Sequence, residues 1–125
     1  MKIACAALAP MLLLAAPASA EMSIATFIAK ADALKAKGML AIGSSDIALL
    51  RGEMKSVSTA YRADLMASRT AGKPAHSCPP PQGKAKLGSD ELLAHLRSYP
   101  VPQRPQISVK TAFYAMMKKR YPCPA

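Results

Sequence analysis

Two histidines and two of the three cysteines carry the reactive chemistry beyond the first twenty residues: His76, Cys78, His95 and Cys123. Together they could ligate zinc, which takes three or four nitrogen and sulfur ligands. No pair among them has finger-like spacing, and a histidine that is exposed or satisfied by a hydrogen bond is the favoured reading. Either cysteine could instead act as a nucleophile with His95 as its base. Asp90 and Glu91 are adjacent, whereas paired carboxylates for glycoside cleavage must face each other across a cleft. No glycine-rich phosphate loop and no serine-nucleophile motif occurs. The methionines are scattered apart from Met116-Met117, a pattern that suits core filling better than copper. The expectation is therefore no metal, no cofactor, no catalytic residue and no enzyme activity.

The simplest use of two cysteines in an exported chain is one disulfide, Cys78 to Cys123. The loop it closes holds about 45 residues, for which chain entropy predicts about 4 kcal/mol of stabilisation. Export is expected from the start of the chain. Met1-Lys2 precedes an apolar run from Ile3 to Ala16, then Pro17 and the small-x-small triplet Ala18-Ser19-Ala20. That is the layout of a secretory signal peptide, 1–20, cleaved after Ala20. The apolar run is too short to span a bilayer, where about 20 residues are needed. Cys5 leaves with the signal, and Lys2 with it, so the formal charge falls from +10 to +9.

The segment 21–125 has the size of one domain. Four stretches have helical periodicity, expected over 23–37, 45–71, 89–99 and 108–121. Ser23 is an N-cap for the first, whose stripe is Ile24, Phe27, Ile28, Ala31 and Leu34. Gly38 stops it, and the apolar link Met39 to Gly43 is expected to pack down as the chain turns. Ser44-Ser45-Asp46 starts the second and longest helix, with Ile47, Leu50, Met54, Val57, Tyr61 and Leu65 on one face. Gly52 inside it points to a close helix crossing or a bend. Arg51, Glu53, Lys55, Arg62 and Arg69 form a solvated face. Gly72-Lys73-Pro74 ends that helix.

Pro79 to Pro81 begin a stiff, extended strap out of Cys78. Ser89 is the expected cap of the third helix, with Leu92, Leu93, Leu96 and Tyr99 buried. Pro100, Pro102 and Pro105 force a turn or extended connector. Ser108 caps the fourth helix, whose buried face is Val109, Ala112, Phe113, Met116 and Met117. No segment alternates with period two, so the fold class is all-α: a small four-helix domain with one disulfide.

The residues Cys78, Pro80, Leu92, Leu96, Pro100, Ala112, Tyr121, Pro122 and Cys123 form a pattern. It is a Cys-x-Pro, a short leucine-bearing helix, a proline-marked connector and a helix ending in aromatic-Pro-Cys. It resembles the C-terminal part of the Tai/Rap-type immunity proteins, which neutralise amidase effectors delivered by type VI secretion. The likeness is clearest over 78–123. It implies a small helical, periplasmic, non-enzymatic protein, often a homodimer, whose partner is a secreted peptidoglycan amidase. It also implies the disulfide between Cys78 and Cys123. Family members usually carry a second cysteine pair in the N-terminal helices and a Gly-Tyr near the later cysteine. This chain has Ala60-Tyr61 and no such pair.

The basic charge narrows the partner class. Cations spread over several elements, few aromatics for base stacking and export all speak against nucleic acid. An acidic protein or the anionic cell envelope fits better. The expected function is steric and electrostatic occlusion of an amidase active site. The alternative is a non-enzymatic structural or stress-related envelope protein without a toxin partner.

Overall fold

Ser23 starts the fold where its hydroxyl accepts the Thr26 N–H at 3.1 Å, launching α1 over Ile24–Lys37. The computed structural model describes residues 21–124, so the expected signal peptide lies outside the described residues. Ile24, Phe27 and Ile28 are buried on the first half of α1, while Ala31 and Leu34 stay half-buried. Gly38 ends the helix at φ 55°, a left-handed conformation that glycine takes without a Cβ clash. A 3-10 segment, Gly38–Gly43, turns the chain.

Helix α2, Ser45–Thr70, is capped by Ser44, whose hydroxyl accepts the Asp46 N–H at 3.3 Å. Its 26 residues extend about 39 Å. Val57, Tyr61 and Leu65 are buried, with Leu50 and Met54 packed against the same cluster. Of the two readings of Gly52, the close helix crossing is not found: apart from its chain neighbours and the helix's own backbone, no atom lies within 4 Å of where its Cβ would sit. The helix ends in a Schellman motif, with Lys73 N–H on the Ser68 carbonyl at 2.9 Å and Gly72 at φ 64°.

After the strap, α3 spans Ser89–Arg97 and α4 spans Val109–Arg120. Ser89 is not the cap of α3. Gly88 holds that place with extended backbone and its carbonyl accepts the Leu92 N–H, so Ser89 is already helical. The helix also stops before Tyr99, because Pro100 disfavours helical backbone in the residue it follows. The proline connector then coils into a second 3-10 segment, Val101–Gln106. Arg104 reaches back from it to the carbonyls of Tyr99 (2.9 Å) and Arg97 (2.8 Å), satisfying the open end of α3. Ser108 caps α4 as expected, accepting the Thr111 N–H at 3.0 Å.

One apolar cluster draws side chains from all four helices. α4 contributes most to it: Val109, Ala112, Phe113, Met116 and Met117. Tyr61 meets Phe113 and Tyr114 edge to face at 5.5 and 5.3 Å, geometry that aromatic rings prefer. The starts of α1 and α4 are clipped together by an antiparallel bridge, Ile24 N–H to the Ile107 carbonyl and Val109 N–H to the Met22 carbonyl, both at 2.9 Å. No strand forms among the described residues, and the fold class is all-α as the periodicity implies. No helix among them is long and apolar enough to cross a membrane.

Candidate partner-binding surface

Cys78 and Cys123 are bonded to each other, with Cα atoms 4.8 Å apart. A disulfide of this kind is compatible with an exported protein. The bond pins the strap to the end of α4, where Cys78 N–H also donates to the Tyr121 carbonyl at 2.8 Å. Further ties hold the strap along its length. Ser77 meets the Tyr61 hydroxyl in the core. Arg62 donates to the Pro80 carbonyl at 3.1 Å, and Arg120 to the Lys86 carbonyl at 2.9 Å. Arg62 is therefore half-buried under the strap and not part of a wholly solvated face.

The four candidate ligands do not converge on a metal. Both sulfurs are consumed in the disulfide, and the described residues contain no group of three or more His, Cys, Asp or Glu placed to hold an ion. His95 sits between α3 and α4, its Nε2 donating to the Ala112 carbonyl at 2.9 Å and its ring edge-on to Tyr99 at 5.5 Å. His76 is exposed beside Tyr114. Neither sulfur is a free thiol that His95 could deprotonate. Asp90 and Glu91 stand in the first turn of α3, where acids are favoured, and Glu91 pairs with Arg120.

The surface that stands out lies elsewhere, at the turn between α1 and α2. Met39, Leu40 and Ile42 are 83, 86 and 76 % exposed. This reverses the expectation that Met39 to Gly43 packs down. A 3-10 segment has three residues per turn, so Gly38 and Ala41 share one side. Only Ala41 is buried, and the three large side chains point away from the body. Lys35 and Lys37, in the last turn of α1, lie beside them in sequence and have no ion pair among the described residues.

The stalk below this tip is braced. Lys30 on α1 pairs with Asp46 on α2 at 2.9 Å. Asp32 pairs with Arg97 of α3 at 2.5 Å, and the Arg97 guanidinium holds the Asp32 carboxyl below the usual carboxylate range. The tip is thus an apolar cluster carried on a two-helix hairpin whose base is fixed to the body. Composition pointed the other way, since an apolar link such as GMLAIG reads as buried. Its exposure needed the backbone.

No protein-family model matches the chain, and neither the curated proteins nor the solved structures contain a match to it.

Proposed function

We propose that the protein is an exported, periplasmic, non-catalytic binding module. It would block a peptidoglycan amidase delivered by type VI secretion, as the immunity proteins it resembles do. The observation that carries this reading is the tip formed by Met39, Leu40 and Ile42. Exposed contiguous apolar clusters on a folded surface mark interaction sites. Enzyme clefts are concave and mostly apolar, the shape a projecting apolar turn can fill.

The charge supports the same reading. A formal charge of +9 on residues 21–125, one less than the +10 of the whole sequence because Lys2 is lost, favours encounter with an acidic partner and sets its orientation more than its affinity. Lys35 and Lys37 place part of that charge beside the tip. The bonded sulfurs and the engaged His95 fit a module that binds without turning over a substrate.

Inhibition is the test. Type VI-secreted amidases of the same cell are assayed on purified sacculi with the protein added in increasing ratio. Near-stoichiometric inhibition, lost in Leu40→Asp, supports the reading. Undiminished hydrolysis by every such amidase at a molar excess of the protein overturns it. A second reading is a structural or stress-related envelope protein with no toxin partner. It is favoured by the first half of the chain, which lacks the second cysteine pair usual in the family. Cells lacking the protein would then tolerate neighbours' toxins as well as before, yet lose integrity under envelope stress.

A further inference from the structure

A groove of about 520 Å³ opens between α2, the strap and the last turns of α4. Its floor is apolar, made by Met54, Leu87, Phe113 and Met117. Lys55, Arg62 and Arg120 border it, and no acidic side chain does. The three cations are not equivalent. Arg120 is spent on Glu91, on the Lys86 carbonyl and on the Tyr121 hydroxyl.

Arg62 is held but not spent. Its Nη1 donates to the Pro80 carbonyl at 3.1 Å, and its guanidinium lies 5.9 Å from the Tyr61 ring centroid. Its Nε and Nη2 have no hydrogen-bond partner among the described residues. Lys55 stands two turns earlier on the same face, about 10.5 Å along the helix axis. It has no ion pair among the described residues.

We propose that this groove binds an anionic amphiphile of the fatty-acid class. The carboxylate docks on the free edge of the Arg62 guanidinium, and the hydrocarbon chain lies over Met54, Leu87, Phe113 and Met117. The volume falls within the range of small-molecule sites, which are mostly apolar with a few fixed polar groups. Arg62 is pre-oriented by the strap, so its planar fork accepts a carboxylate with little further ordering. A strand-adding peptide fits less well. It needs backbone partners at a sheet edge, and the backbone groups of the α2 wall are consumed within the helix, with the Ser58 hydroxyl turned to the Lys55 carbonyl. The groove is built from residues other than the hairpin tip, so this site is independent of the inhibitor reading.

Calorimetric titration of the disulfide-bonded protein with decanoate, below its micelle-forming concentration, tests the proposal. One site per chain is expected. The uncharged 1-decanol should bind about ten-fold more weakly or worse, since it forfeits a charge-assisted contact. Arg62→Gln should weaken decanoate about ten-fold and leave 1-decanol unchanged, while Arg62→Lys keeps part of the affinity. Met54→Glu, on the half-buried floor, should abolish decanoate binding with the helical circular dichroism and the disulfide intact. Equal binding of decanoate and 1-decanol, wild-type affinity in folded Arg62→Gln, or no heat of binding with wild-type protein would each overturn it.

Discussion

The Tyr61 hydroxyl, in the middle of α2, meets the Ser77 hydroxyl one residue before Cys78, with the two residues 2 % and 1 % exposed. Each is the other's partner in a core otherwise made of apolar side chains, so the pair sets where the strap enters the body. Tyr61→Phe leaves the Ser77 hydroxyl buried and unpaired and should cost about 1–3 kcal/mol. Ser77→Ala should cost a similar amount by stranding the phenol. The double variant removes both groups and should be closer to wild type than the sum of the two losses. Urea denaturation measures all three. Strictly additive losses would mean that the hydroxyls do not depend on each other.

This pair also shows what the amino-acid pattern could and could not convey. Helix starts at Ser23, Ser44 and Ser108 were legible because an N-cap is a local contact, made within two or three residues. The buried stripe of α4 was legible because period 3.6 is written in consecutive residues. Tyr61 and Ser77 lie 16 positions apart and Arg62 and Pro80 lie 18 apart, so their meeting depends on how the strap folds back. The tip misled for another reason. Apolar composition predicts burial, but a six-residue 3-10 segment has only one side to turn inward, and Ala41 occupies it. The candidate surface was therefore the least visible part of the chain.

Gly52 is the clearest opportunity for stabilisation. It lies inside α2, is exposed, and an added methyl meets no atom within 4 Å. Gly52→Ala should raise stability by about 1 kcal/mol through helix propensity alone. The thermal midpoint should rise correspondingly, with the helical signal unchanged. A fall in stability would overturn the helix-propensity account of this position.

Tyr114 connects the fold to pH. Its hydroxyl donates to the Asp64 carboxylate at 2.6 Å. Burial pushes its pKa well above the ordinary value of 10.0, and the donated hydrogen bond and the Asp64 charge push it further in the same direction. The folded state therefore holds the phenol proton where the unfolded chain releases it. The stability linked to this group is fully present below pH 10 and is lost as pH rises beyond it. Tyr114→Phe should flatten the alkaline fall in stability. Absorbance of phenolate near 295 nm should show a late-ionising tyrosine, and its absence from the variant assigns it. A wild-type alkaline profile in Tyr114→Phe would sink the account.

The disulfide closes a sequence separation of 45 residues, yet it is not the strap's only anchor. Tyr61 with Ser77, Arg62 with the Pro80 carbonyl and Arg120 with the Lys86 carbonyl hold the strap through atoms other than the sulfurs. The bond's contribution is then chiefly on the unfolded chain, which regains the freedom the loop removes, about 4 kcal/mol on the chain-entropy estimate. Small domains hold roughly 5–15 kcal/mol in all, so the reduced protein should stay folded with a much lower midpoint. Cys78→Ser with Cys123→Ser should show the same helical signal at low denaturant and a lower urea midpoint, the unfolding free energy falling by about 4 kcal/mol. It should also retain decanoate binding, because Arg62 keeps its hold on Pro80. A reduced protein that is folded but has lost the groove would show that the strap is set by the sulfur bond, and that its polar ties only follow.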